Sequence, residues 1–261
     1  MLLLGATVSL FGGRQMSGNN PEAQSTARLP EPDVYEQEYT FWPWGTLLDR
    51  VTEWVSQNAP RDCHIVDYMC GTGYLLNAIH TRRPDLSTEG WDISSSYISY
   101  GRLRYPQIGL HEGDALEAEL VGAPRLVLCT AGIHHLTADE KKIFLEKVAS
   151  ELPNEGWFIV GEEVLSYFSS ERERREKVIE LHTALMQFSI LHDAPVPVIE
   201  AACNVLANDM LQRGEFKISL HILKELLATY FCIEDVKMIW PATMDLVFGD
   251  SVLVCKRRLS I

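Results

Sequence analysis

Three aspartates and two adjacent histidines stand at the ends of short apolar runs, and their spacing describes a binding loop and a source of base chemistry. Asp67 closes the run Ile65-Val66; Gly71 and Gly73 follow, and Leu75-Leu76 open a helical pattern. Glycines at those places let the backbone turn tightly and approach a ligand where a Cβ would block it. Asp92, about twenty residues beyond Gly71, ends the run Gly90-Trp91-Asp92-Ile93, the position from which an acid grips a ribose hydroxyl pair. A third acid, Asp114, follows Leu110-His111-Glu112-Gly113 and precedes Ala115. His134 and His135 come after the apolar run Arg125–Thr130 and Gly132. Imidazoles titrate near neutrality, which suits removal of a proton from a hydroxyl, an amine or an acidic carbon. His134 is the first choice as base and His135 the second, with packing against the next helix as the bland reading of either; Glu162 and Glu163 are alternative bases or partners for a substrate amine.

The surroundings of the glycines select the cofactor. A dinucleotide loop needs a third glycine and a helix start open to pyrophosphate, but here Leu76 takes the third place and the carboxylate of Asp67 precedes the turn. S-adenosylmethionine has no phosphate and carries an ammonium and a sulfonium, so an acid beside the turn favours it. From Asp67 to Gly73 the sequence resembles the first motif, acid-x-Gly-x-Gly-x-Gly, of the class I S-adenosylmethionine-dependent methyltransferases, with Met69 where that family has its first glycine. The resemblance covers roughly residues 35 to 165. It implies that Asp67, Met69, Cys70, Gly71 and Gly73 hold the methionine part, Asp92 with Ile93 the ribose, and Asp114 with Ala115 the adenine. It also implies that the loop after Thr130, containing His134 and His135, faces the methyl group and acceptor. Tyr39, in the aromatic stretch Tyr39–Trp44, is expected to lie over the pocket, where ring faces attract a sulfonium; packing on a sheet edge is the competing account.

The elements that must position these residues alternate. A helix is expected over Thr46–Gln57, with Leu47, Leu48, Val51, Trp54 and Val55 on one face, preceded by an aromatic approach segment Tyr35–Trp44 broken at Pro43. Strands ending at Asp67 and Asp92, helices over Tyr74–Thr81 and Ser95–Tyr105, two further strands, a helix over Ala138–Glu151 and a strand Trp157–Val160 complete the alternation. The fold class this implies is α/β: a doubly wound, mostly parallel sheet with ligands at the strands' carboxyl ends. The resemblance makes it seven-stranded, ending in a reversed hairpin formed by Cys232–Trp240 and Leu246–Cys255. Ser170–Leu191 and Pro197–Arg213 read as a helical insertion after the fifth strand, hinged at Asp193–Pro197, before Ser219–Tyr230 resumes the core. The insertion is read as a lid that keeps water from the sulfonium, with a homodimer hairpin as the alternative. The expected division is a disordered leader 1–33, a cofactor-binding core 34–165, a lid 166–215 and the end of the core 216–261.

Composition bounds the function. The chain has 261 residues and 46% hydrophobic content, enough for one full core. Its formal net charge of -13 argues against nucleic acid as a partner, since that binding depends on Lys and Arg neutralising phosphates. The apolar stretch Met1–Phe11 is too short to span a bilayer and has no positive flank or cleavage pattern, so neither membrane insertion nor secretion is expected. The natural start is expected at Met16, since Met1–Gln15 shows no structural role. Six cysteines without CxxC spacing suggest reduced, buried thiols, a cytoplasmic setting and no metal centre. The resulting expectation is methyl transfer from S-adenosylmethionine to a small-molecule acceptor, with O-, N- and C-methylation all open. Two other outcomes stay open: displacement or cyclisation within the cofactor's aminobutyrate chain, and a silent cofactor-binding partner.

Overall fold

The computed structural model describes residues 29–120, 122–241 and 248–258. Its strands are β1 (His64–Tyr68), β2 (Ser87–Asp92), β3 (Gly109–Glu112), β4 (Leu126–Thr130), β5 (Trp157–Val164), β6 (Phe231–Trp240) and β7 (Gly249–Arg257). They form one sheet in the order β3-β2-β1-β4-β5-β7-β6. The pairs from β3 to β5 are parallel, and β7 is antiparallel to both β5 and β6. The central strands are apolar on both faces, as a sheet covered on both sides requires: Ile65, Val66 and all of Leu126–Cys129 are buried. Strand order reverses between β1 and β4, so the loops after Asp67 and after Thr130 part there and leave a crevice at the strands' carboxyl ends.

Helices α1 (Pro32–Phe41), α2 (Trp44–Asn58), α3 (Tyr74–Arg82), α4 (Ser95–Arg104), α5 (Ala138–Glu151), α6 (Glu171–Leu191), α7 (Val196–Leu211) and α8 (Leu220–Tyr230) surround the sheet. On one face Leu47, Leu48, Val51 and Val55 of α2 pack with Ile65, Leu128 and Ile159. On the other, Phe144, Leu145 and Val148 of α5 and Leu223 and Leu227 of α8 pack with Val66, Val127, Phe158 and Val160. Each such side chain taken fully out of water contributes about 1.5–3 kcal/mol. The start of α5 is set by a capping box between Thr137 and Glu140, which fixes where the loop carrying His134 and His135 must end. Helices α6 and α7 pack on each other, and α7 also meets α1.

Several boundaries differ from expectation. The aromatic approach segment is helix: α1 starts with Pro32 in its first turn and Asp33 beside the positive end of the helix. Its tyrosines 35 and 39 lie four residues apart, on one face, and pack edge to face with ring centroids 5.3 Å apart. Pro43 breaks the chain as anticipated, but α2 begins immediately after it, at Trp44. Order therefore reaches into the last residues of the expected leader; Met16 and the rest of that leader through residue 28 lie outside the described residues, as does Leu246. Strand β5 runs on to Val164 rather than stopping at Val160, because Glu162 and Glu163 stay in register with Ser251 and Asp250 of β7. The six thiols are all free, but Cys203 and Cys232 are exposed, on α7 and β6, so only four are buried as expected. Among the described residues no helix is long and apolar enough to cross a membrane.

Candidate functional site

The turn after β1 holds three left-handed residues, Met69 (φ 59°), Gly71 (φ 57°) and Gly73 (φ 81°). Glycine adopts this backbone freely, whereas a side chain costs roughly 1–2 kcal/mol there. Met69 thus keeps the backbone shape of the glycine it replaces in the motif. Ala131 (φ 44°), on the loop after β4, is also left-handed, and a Cβ on its neighbour Gly132 would lie 2.9 Å from Met69 Cβ. The two loops that flank the crevice are therefore in contact.

Asp92 ties the turn to β2. Its Oδ2 accepts the Gly71 N–H at 2.8 Å and its Oδ1 accepts the Ser94 N–H at 2.8 Å. Asp67 is different. It is 1% exposed, and neither carboxylate oxygen has a hydrogen-bond partner. Burial, reinforced by the nearby charge of Asp92, pushes its carboxyl up to about 8. A buried carboxylate left unsatisfied costs 1–3 kcal/mol or more, so this group is poised for a cationic hydrogen-bond donor. The ammonium of S-adenosylmethionine supplies that chemistry, so the residues present fit the cofactor. Above the turn, Tyr35 stacks on Tyr97 at 4.6 Å and Tyr39 packs on Tyr74 at 4.4 Å, which places α1 as a cover over the glycines. Cys70 is buried in the turn, and burial together with Asp92 and Asp67 keeps its thiol protonated.

The rim beyond Asp92 carries Ile93, an apolar side chain 71% exposed, and the turn at Asp114–Ala115. Asp114 Oδ1 accepts the Leu116 N–H at 2.9 Å and so shapes that turn; Ala115 is buried. A residue overlooked in the sequence, Gly101 of α4, determines how closely this side approaches the glycine turn: a Cβ there would lie 2.1 Å from the Thr72 carbonyl oxygen. Gly101→Ala is therefore expected to lower stability by about 1–3 kcal/mol in urea titration and to loosen the turn. An unchanged denaturation midpoint would show that α4 can shift without consequence.

The histidines separate by environment. His134 is buried, with Nδ1 2.5 Å from Glu162 Oε1 and its backbone N–H donating to Glu162 Oε2 at 3.0 Å. Nε2 faces Glu215 Oε2 at 3.5 Å. Burial, followed by the charges of His135 and Lys217, holds this imidazole well below its ordinary range. Burial raises Glu162 to about 7 despite the ammoniums of Lys141 and Lys217. His135 has a side chain 43% exposed, and its Nδ1 lies 2.8 Å from the Gly214 carbonyl. Together with Glu31, Val34, Glu200, Ala201 and Glu215, it lines a cleft of about 320 Å³ between α1 and α7. Thr130, the last residue of β4, is buried below.

Glu215 and Lys217, where the helical insertion rejoins the core, escaped the sequence reading. Lys217 Nζ lies 2.7 Å from Glu215, 3.4 Å from Glu163 and 3.7 Å from Asp209, and Asp209 also binds Arg174 at 3.0 Å and His182 at 3.2 Å. Phe216 N–H donates to the His134 carbonyl at 2.7 Å, which staples this junction onto the histidine loop. No local signal marks these residues, since charges after Gly214 look like a solvated turn. Ligand atoms of His134, His135 and Glu215 come within 4.8 Å of one another, near enough to share a metal ion. The Lys217 ammonium, however, already neutralises Glu215, so the donor set suits hydrogen bonding better than an ion.

Residues 65–156 match the family model described as a methyltransferase domain. No curated protein matches the chain in sequence. Among solved structures, the PH0226 protein from Pyrococcus horikoshii OT3 superposes with a TM-score of 0.59 at 14% identity, covering 87% of this chain and 95% of that one. A TehB-like S-adenosylmethionine-dependent methyltransferase from Corynebacterium glutamicum superposes with a TM-score of 0.52 at 14% identity, over 87% of this chain and 98% of that one. CalS10, an amino pentose methyltransferase from Micromonospora echinaspora, shares 25% identity over 49% of this chain, with a TM-score of 0.43; the match spans 55% of CalS10. Residues 65–156 thus carry a methyltransferase domain, and the strand order and motif series resemble those of the class I S-adenosylmethionine-dependent methyltransferases. The chain is an α/β protein with a mostly parallel seven-stranded sheet and helical insertions.

Proposed function

We propose that the chain transfers the methyl group of S-adenosylmethionine to a small molecule held in the cleft between α1 and α7. One observation carries this reading: the cleft opens onto His135, on the loop that touches the turn following the unpartnered Asp67 of β1. When bound, the cofactor supplies an electrophilic methyl carbon on a positively charged sulfur. The protein's part is positioning and water exclusion, which can contribute about 7–11 kcal/mol without a covalent step. Asp67, with Met69, Cys70, Gly71 and Gly73, would hold the methionine part, Asp92 and Ile93 the ribose, and Asp114 and Ala115 the adenine. Tyr39, from α1, would close over them, and Thr130 would floor the crevice. His135 is the imidazole that can take the acceptor's proton, and His134, clamped by Glu162, positions it through ring contact at 4.2 Å.

The test reads the cofactor itself. S-adenosylmethionine and S-adenosylhomocysteine should each raise the melting temperature, whereas NAD should not, because a ligand that binds only the folded state stabilises it by mass action. Chromatography after incubation with cofactor and a cell extract should find S-adenosylhomocysteine, with about 10²-fold less of it from His135→Ala. Methylthioadenosine formed without an acceptor would instead assign aminobutyrate displacement. Intact cofactor would assign a binding partner without turnover.

A further inference from the structure

The charges around the cleft are unbalanced, and the imbalance deepens into the protein. Glu31, Glu200 and Glu215 line the cleft, and no lysine or arginine does. Behind Glu215, one ammonium, that of Lys217, reaches both Glu215 and Glu163. Asp250 sits directly across from Glu163 in the antiparallel pairing of β5 and β7, so the two carboxylates project from one face of the sheet. Asp250 is 1% exposed, and its Oδ2 has no hydrogen-bond partner. Glu38, buried on the overlying α1, has no ion-pair or side-chain hydrogen-bond partner among the described residues, and Glu163 and Glu215 both raise its carboxyl electrostatically after burial has done so. The same holds for Asp250, raised first by burial and then by Glu163 and Glu162. Like charges directly opposite on paired strands destabilise a sheet, and buried acids without partners do so too. A further cation entering from the cleft would relieve both costs.

We infer that the acceptor carries a basic amine, drawn as an ammonium into the acid-lined cleft, where Glu31 and Glu200 have no paired cation among the described residues and Lys217 alone reaches Glu215 and Glu163. This rests on the proposed methyltransferase function and narrows its three open outcomes to N-methylation. The ammonium gives one proton to His135. The freed nitrogen lone pair then forms a bond to the methyl carbon as the carbon–sulfur bond breaks with its electron pair going to sulfur. The positive charge lost by sulfur reappears on the methylated nitrogen, so the site holds a cation before and after transfer.

The test uses the full chain loaded with S-adenosylhomocysteine and three probes of one shape: benzylamine, benzyl alcohol and benzoate, with their phenethyl homologues. The expected result is a concentration-dependent rise in melting temperature with the amines alone. The double variant Glu31→Gln/Glu200→Gln, changed at exposed positions that leave the core intact, should weaken amine binding about fivefold to tenfold. Asp250→Asn should raise the melting temperature of the free protein and weaken the amine, opposite signs that a merely structural aspartate would not produce. Equal or greater stabilisation by the alcohols or carboxylates, or no response to the amines, overturns the inference. Failure of S-adenosylhomocysteine to stabilise the same preparation would instead count against the methyltransferase reading, so the two can fail separately.

Discussion

Asp67→Asn is expected to make the free protein more stable while weakening its hold on S-adenosylmethionine. The wild-type carboxyl is buried without a partner and titrates at about 8, against an ordinary value of 3.8. Below the ordinary value the group is protonated in both folded and unfolded states and contributes nothing. As pH rises from there to about 8 the unfolded chain loses this proton and the folded chain keeps it, so stability falls steadily; above 8 the full penalty is present. An amide of the same shape has no proton to lose. The variant should therefore match the wild type near pH 4 and exceed it by about 1–3 kcal/mol near pH 8, the usual cost of an unsatisfied buried group. Cofactor affinity should move the other way, by about 10- to 100-fold, since a hydrogen bond to a charged partner is worth about 1.5–3 kcal/mol. Urea titrations across pH and calorimetry with S-adenosylhomocysteine measure the two effects. A variant that binds the cofactor normally would remove Asp67 from the site.

Lys217→Met should be the most damaging single change to the helical insertion. The ammonium is 1% exposed and is shared by Glu215, Glu163 and Asp209. Burial alone would lower its affinity for a proton, but Glu215 and Asp209 outweigh that and hold it above its ordinary value. Burial likewise works against the two acids, and Lys217 reverses it, leaving Glu215 and Asp209 both at about 2. Methionine fills similar space but strands the carboxylates, and removing one partner of a buried pair typically costs 3–5 kcal/mol. The acids' contribution is complete above the ordinary carboxylate range and is lost as pH falls towards 2; the lysine's is complete below 10.5 and is lost only above it. The difference between variant and wild type should thus be widest between about pH 5 and pH 10 and should shrink in acid. Because Asp209 also receives Arg174 and His182, amide exchange in α6 and α7 should accelerate with it. A variant with wild-type stability at pH 7 would mean that the cluster does not hold α6 and α7 in place.

The alternation of elements, the glycine turn and the parallel sheet were legible in the residues because each rests on local rules. Asp67 with Gly71 and Gly73, the acid Asp92 at the end of β2, and the capped start of α5 all sit within a few positions of the backbone they shape. Helix α1 was missed for a local reason: its aromatic residues beside Pro43 resemble an irregular segment, and only packing on Tyr97 and Tyr74 reveals the face they share. The difference between His134 and His135 was beyond any local rule, since adjacent residues differ here in the neighbours they meet, Glu162 for one and the cleft for the other. Glu38, Glu163, Glu215, Lys217 and Asp250 come from α1, β5, the end of the helical insertion and β7, more than two hundred residues apart at the extremes. Charge balance in a buried site depends on distances through space, and sequence separation carries no record of them. The chain by itself therefore determined the fold class and the glycine turn after β1, through turn geometry and apolar periodicity; only the tertiary structure decided which acids face one another unpaired, because Coulomb energy and desolvation act between elements that folding alone brings together.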